Sequence, residues 1–348
     1  MFDMSLREID RNNVYDRIVN FYQQLVDGIE IGRNAKLREL SRGGFSSIVL
    51  AGMGGSAITG NLLKSVLLDE LTMPFEIHRN YGLPGHIDKD SLIICSSYSG
   101  GTEETLSAFD AAIERGCNIL SVSTGGKLAD KARQNNIPLI KIPSGLMPRE
   151  ALGFSFAPLL TVLGRIGLTK DYTAELKKCA EHLKEWNNQY VFESENNPAL
   201  DTAKKLVGKI IIIYSGPDRF DSVALRLKGQ ICENAKQLAF CNVFPEFNHN
   251  ELVGWELSAS YTDKFVVVVL RDKDDHRQIA RRMEAVKEIL DGKNVEVIEL
   301  FSKGSSALER IFSLIQIADF ISYYMALINK VDPTPVNLID YLKQRLAK

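Results

Sequence analysis

The 348 residues include only five cysteines and five histidines, and none of these stands in a C-x-x-C or His-rich spacing. That argues against a zinc site, and the odd cysteine count argues against a disulfide framework. Cys95, Cys117 and Cys232 fall within or beside apolar segments, where free thiols are ordinarily buried. An excess of one charge is also missing, since 42 Lys and Arg against 44 Asp and Glu leave a net −2. The basic residues are spread along the chain, so no electrostatic footprint for nucleic acid is present. Long hydrophobic runs are lacking too. Ile210–Tyr214 and Phe265–Leu270 are far too short to span a bilayer. Residues 1–35 alternate charged and apolar positions at helical spacing, unlike a signal peptide. The expectation is a cytoplasmic globular protein with no membrane or nucleic-acid partner. Its length and 45% hydrophobic content suffice for two cores.

What the sequence does hold is an alternation of short apolar runs with helical patterns. Residues 1–40 read as one or two amphipathic helices. Strands follow at 46–51, 75–78, 92–95, 118–122 and 138–142, with helices at 58–68, after 102, at 128–134 and from about 148 to 164. A polar helical stretch at 174–193 leads to Asn196-Asn197-Pro198, which reads as a linker. The alternation then resumes, with strands at 209–214, 265–270 and 295–301 and helices to 237, at 275–290 and at 307–330. In Asp332-Pro333-Thr334-Pro335, Thr334 is placed to cap a last helix and Pro335 to open it. Such alternation predicts an α/β fold, two tandem units that each have a mainly parallel sheet flanked by helices, in a three-layer αβα, flavodoxin-like arrangement.

The chain is organised around Ile94-Cys95-Ser96-Ser97-Tyr98-Ser99-Gly100-Gly101-Thr102-Glu103-Glu104-Thr105. A buried strand runs into a turn with hydroxyls at Ser97, Ser99 and Thr102, and a helix follows. Unpaired N–H groups at a helix start, glycines that admit close approach and neutral hydroxyl donors together suit a phosphate. An ordinary capped turn is the plain alternative. A second glycine-rich turn, Gly52-Met53-Gly54-Gly55-Ser56-Ala57, also follows a strand. It fits the dinucleotide pattern G-x-G-x-x-A, but the next strand ends in His78-Arg79-Asn80 rather than in a ribose-binding carboxylate. A compact sugar phosphate needs only what Gly54, Gly55 and Ser56 supply. The corresponding turn of the second unit, Leu270-Arg271-Asp272-Lys273-Asp274-Asp275, carries three carboxylates that would repel phosphate. One phosphate site per chain is therefore expected.

The two glycine turns together resemble the sugar isomerase (SIS) domain. Further segments narrow the resemblance: Pro148-Arg149, Cys232-Glu233-Asn234-Ala235-Lys236, Phe247-Asn248-His249-Asn250-Glu251 and Asp332-Pro333-Thr334-Pro335-Val336. In this order they are similar to the bifunctional phosphoglucose/phosphomannose isomerases of archaea and bacteria, over nearly the whole chain from about residue 45. The resemblance implies N-terminal helices over 1–44, one SIS domain over 45–195, a second over 196–331, and a C-terminal helix over 332–348 closing the active site. It implies a homodimer and a metal-free, cofactor-free interconversion of fructose 6-phosphate with glucose 6-phosphate and mannose 6-phosphate through a cis-enediol.

The same resemblance assigns roles that the residues can chemically fill. Glu233 would shuttle the proton between C1 and C2. It lies off the apolar stripe Val223, Leu227, Ile231, Ala235, and Gly229 leaves room one turn earlier. His249, whose side-chain type titrates near neutrality, would open the sugar ring in the partner's site. Arg149 would stabilise the enediolate, a role hinted at by a cation placed unfavourably at a helix start. Lys343, flanking the stripe Leu338, Ile339, Leu342, Leu346, would reach the sugar ring. Each of the four has a plainer reading as a solvated side chain. Two other classes also compete. A sensor could bind the sugar phosphate without transforming it, and would need neither Glu233 nor His249. A synthase of the amidotransferase type would need an N-terminal cysteine or glutaminase domain, for which no segment is expected here.

Overall fold

In the computed structural model the chain is described over residues 4–37, 40 and 44–346; parts of the expected segments 1–44 and 332–348 lie outside them. It divides into two compact units. One comprises Asn20–Lys184 with Ser306–Leu308; the other comprises Met1–Val19, Glu185–Ser305 and Glu309–Lys348. The first helices are α1 (Val14–Val19) and α2 (Phe21–Asn34), and they belong to different units.

The Asn20–Lys184 unit is built on β1 (Ser47–Ala51), α3 (Gly54–Val66), β2 (Phe75–His78), β3 (Ser91–Ser96), α4 (Glu103–Glu114), β4 (Asn118–Ser123), α5 (Gly126–Gln134) and β5 (Leu139–Lys141). The strands form one sheet in the order β2-β1-β3-β4-β5, and every pairing is parallel. Helices cover both faces of such a sheet, so its strands must be apolar throughout. Ile48, Val49 and Leu50 of β1 and Leu92 to Cys95 of β3 are accordingly fully buried. Two more helices follow, α6 (Leu152–Arg165) and α7 (Thr173–Trp186), and α6 packs along α2.

The second unit repeats the plan with α8 (Pro198–Leu206), β6 (Ile210–Ser215), α9 (Asp221–Asn234), β7 (Ala239–Val243), β8 (Phe265–Arg271), α10 (Arg277–Asp291) and β9 (Glu296–Phe301). Its sheet order is β7-β6-β8-β9, again all parallel. Last come α11 (Ala307–Ile328) and α12 (Asn337–Leu346). By length and composition α11 could cross a membrane, but 94% of its apolar window is buried inside the fold. Both sheets thus match the expected parallel α/β architecture.

Four local expectations are corrected. The strand β7 was not foreseen, because its residues Ala239-Phe240-Cys241-Asn242-Val243 form a short edge with mixed exposure. The preceding helix stops at Asn234 rather than reaching 237, where Lys236 takes a positive φ of 55° without the help of a glycine. The helix after the first glycine turn begins at Gly54, four residues before Ile58. The last helix begins at Asn337, so neither Thr334 nor Pro335 stands where it was expected; the Thr334 N–H instead bonds Asp332 Oδ1 at 2.9 Å.

Candidate active site

In an open parallel sheet, ligands bind outside the carboxyl ends of the strands where the strand order reverses. With the order 2-1-3-4-5, the reversal in the Asn20–Lys184 unit lies between β1 and β3. Both turns singled out from the sequence leave the sheet at that point, 52–53 after β1 and 97–102 after β3. The helices that follow start at Gly54 and Glu103, and neither Met53 nor Thr102 caps its helix with a side chain. Backbone donors and positive dipole ends are thereby left to a ligand. Glu103 and Glu104 sit in the first turn of α4, so attraction for an anion rests on these donors and on the hydroxyls.

The hydroxyls are not equivalent. Ser97 is 1% exposed, and its Oγ accepts the N–H groups of Gly100 at 3.1 Å and Thr102 at 3.4 Å. With both lone pairs engaged, its own proton is free to go to Thr102 Oγ1, 2.8 Å away. Thr102 then keeps an O–H to offer outward. Ser99 is exposed and accepts the Gly101 N–H at 3.3 Å, so its proton is also available. Ser56 is buried at 6% and accepts the Tyr98 N–H at 3.3 Å. The turn needs glycine at residue 100, where φ is +71° and a Cβ would lie 1.8 Å from the Gly125 carbonyl oxygen.

Arg149 belongs to the same unit, though not as expected. Helix α6 starts at Leu152, so the guanidinium is not set against a helix dipole, and the side chain is buried at 4% rather than solvated. Its segment lies against the start of α3: a Cβ on Gly55 would come within 2.7 Å of the Pro148 carbonyl and 3.2 Å of the Arg149 nitrogen. Only glycine there lets the two segments meet. Gly54, Gly55, Ser56, Ser97, Ser99, Thr102 and Arg149 are thus gathered at one end of one sheet.

The remaining assigned residues lie in the other unit. The α9 stripe Val223, Leu227, Ile231, Ala235 is buried, and Glu233 stands off it, partly exposed. A Cβ on Gly229 would meet nothing within 4 Å, so space is open one turn before Glu233. Lys236 Nζ reaches the Glu233 carbonyl at 2.5 Å and that of Pro333 at 3.1 Å, tying the end of α9 to the segment that leads into α12.

Comparison with known proteins matches residues 195–346 to the bacterial phospho-glucose isomerase C-terminal SIS domain. A bifunctional phosphoglucose/phosphomannose isomerase of Caldicellulosiruptor bescii is 40% identical over 337 residues, which cover 96% of this chain and 99% of that one. The chain belongs to this isomerase family. A D-glucosamine-6-phosphate 4-epimerase of Sulfolobus acidocaldarius is also similar, 28% identical over 96% of this chain and 97% of its own. Among solved structures, the C-terminal domain of a glucosamine-fructose-6-phosphate aminotransferase from Francisella tularensis shares the fold. Its TM-score is 0.70 at 14% identity, covering 93% of this chain and 98% of that one.

Two family-assigned residues are exposed in the structure. His249 is exposed and ends a 3₁₀ turn, Glu246–His249, beyond β7. Lys343 is on α12, a helix with no buried residue; Leu338 and Leu346 of its apolar stripe are 86% and 71% exposed. The apolar stripe flanked by Lys343 is exposed within the described residues.

Tyr98 is a residue whose part the sequence did not reveal. Its carbonyl accepts the Thr124 N–H and hydroxyl at 3.1 and 2.8 Å, and its phenol oxygen accepts the Leu146 N–H at 3.0 Å. It therefore links the hydroxyl turn to the loop that carries Arg149. The only advance sign was an aromatic ring between two serines. Among the described residues, no group of three or more His, Cys, Asp or Glu is placed to hold a metal ion.

Proposed function

We propose that this enzyme interconverts fructose 6-phosphate with glucose 6-phosphate and with mannose 6-phosphate, by proton transfer through a cis-enediol without a metal ion. The supporting observation is the hydroxyl turn at the strand-order reversal, with the O–H groups of Ser99 and Thr102 and uncapped helix starts left over for a phosphate. A member of this family is an isomerase, and the two aldoses share one 2-ketose, so a single grip on the common phosphate serves both. Glu233 takes the proton from C2 and returns it at C1; its partial exposure and the open space at Gly229 suit a carboxylate that meets substrate. Arg149 offers a buried cation to the enediolate oxygen, where low dielectric strengthens the attraction. Lys343 adds a second cation near the sugar ring, and His249, from a partner subunit, opens that ring. An exposed apolar stripe on α12 and an exposed His249 are what a homodimer would use.

The test is Glu233→Gln, which keeps the shape and removes the basicity. General base catalysis contributes about 10²- to 10⁴-fold, and no second base is assigned, so kcat should fall by about 10³ on both aldose phosphates, with KM little changed. Retention of a tenth of the activity on either aldose would remove Glu233 from the role. Binding of fructose 6-phosphate with no turnover in the unmodified enzyme would instead favour a sensor.

A further inference from the structure

Glu251 follows His249 by two residues, and in a polar loop it reads as a second carboxylate available for base catalysis. The geometry points to a different role: Glu251 is a positioning residue that clamps the turn carrying His249. This rests on the ring-opening role given to His249 above.

The turn Glu246–His249 is gripped on both sides by one side chain, Tyr214, at the end of β6. Ahead of His249, the buried ring of Phe247 stacks on Tyr214, with centroids 4.0 Å apart and planes within 4°. Phe244 meets Phe247 edge-on at 4.6 Å. Beyond His249, the Tyr214 hydroxyl donates to Glu251 Oε1 at 2.5 Å. The other carboxylate oxygen, Oε2, accepts Asn242 Nδ2 from β7 at 2.6 Å. Asn242 Oδ1 accepts the Val243 N–H at 2.8 Å, which orients the amide with its NH₂ toward Glu251. Across the turn, the Glu251 N–H bonds Asn250 Oδ1 at 2.5 Å and Asn250 Nδ2 bonds Glu246 Oε1 at 3.1 Å.

Short bonds from a hydroxyl and an amide to a carboxylate are among the stronger neutral-to-charged contacts. Both Glu251 oxygens engage donors fixed to the sheet, and Trp255 Nε1 braces the Tyr214 hydroxyl at 3.3 Å. A base must present an oxygen to its substrate, whereas an anchor faces its own fold. Burial first, and Glu251 second, hold the Tyr214 phenol well above its ordinary pKa, so it remains a donor at every working pH. His249 is held between Phe247 on one side and Glu251 on the other, with its own side chain exposed.

The test compares kcat on glucose 6-phosphate for Glu251→Gln, His249→Ala and the double variant. Glutamine offers one acceptor oxygen where the carboxylate has two, so either the Tyr214 hydroxyl or the Asn242 NH₂ loses its acceptor. Displacement of about 1 Å costs on the order of 10²-fold, so kcat should fall by about ten- to a hundredfold with KM little changed. In the His249→Ala background the same change should cost nothing further. Exchanging the partners, as Asn242→Asp with Glu251→Gln, restores a donor facing an acceptor and should recover most of the activity. Equal losses in both backgrounds, or no loss in either, overturn the proposal. The His249 Cε1–H resonance supplies a readout free of catalysis, expected to shift or broaden in Glu251→Gln. If His249→Ala left kcat intact, the ring-opening role would fall, and an unmoved resonance would by itself overturn the clamp.

Discussion

The turn after β3 and the turn after β8 occupy the same place in two sheets of like strand order, and their chemistry is opposite. After β3, the Oγ of Ser97 organises the backbone, and the protons of Ser99 and Thr102 remain unspent. After β8 stand Asp272, Asp274 and Asp275. From α11 comes Arg310, its side chain 5% exposed, whose Nε lies 2.9 Å from Asp272 Oδ1 and whose Nη2 lies 2.5 Å from Asp274. The Ser302 hydroxyl donates to Asp272 as well, and Arg310 Nη1 bonds the Ser305 carbonyl at 2.9 Å. Asp275 accepts the Asp272 N–H at 2.9 Å and lies against Gly216 in the turn after β6; burial raises its pKa. The sequence suggested that the second turn turns phosphate away by charge. In the structure two of its three carboxylates are also engaged by the protein's own arginine. A strand-order reversal therefore makes a site only where donors are left without partners inside the fold.

The comparison can be broken most severely at Arg310. Arg310→Leu would leave Asp272, 1% exposed, as a buried charge without its cation, and removing one partner of such a pair costs about 3–5 kcal/mol. Urea unfolding should show a loss of that size, while the folded fraction keeps the KM of the unmodified enzyme for fructose 6-phosphate. A loss below about 1 kcal/mol would mean that Arg310 does not hold the second turn closed. A much smaller effect sharpens the same point. Asp274 is 59% exposed, so Asp274→Asn should cost less than about 1 kcal/mol by the same measurement. An effect equal to that of Arg310→Leu would show that the outer carboxylate carries the closure.

The two sheets were legible in the sequence because parallel strands are buried on both faces and read as unbroken apolar runs, Ile48 to Ala51 and Val266 to Leu270 among them. The edge strand β7 was not legible, since Phe240 is 52% exposed and Asn242 breaks the run. That omission also concealed the partner of Glu251. The hydroxyl turn was legible as chemistry, because Ser97, Ser99 and Thr102 are adjacent in the chain. The burial of Arg149 was not, because it depends on Gly55 and Tyr98, which lie 94 and 51 residues away in the numbering and reach it only through the fold. Arg310 was equally hidden, 38 residues from Asp272 on a helix that reads as core.

The central claim is that each chain holds one phosphate grip, made by the hydroxyls after β3. Calorimetric titration of fructose 6-phosphate into the Glu233→Gln variant, which should bind without turning over, tests it most directly. One site per chain is predicted. Of the added substitutions, Ser99→Ala and Thr102→Ala each remove a hydrogen bond of about 0.5–1.5 kcal/mol to phosphate, and Ser97→Ala removes the oxygen that organises the turn, so together they should raise Kd by about tenfold. Two sites per chain, or a Kd unchanged by the triple substitution, would contradict the account.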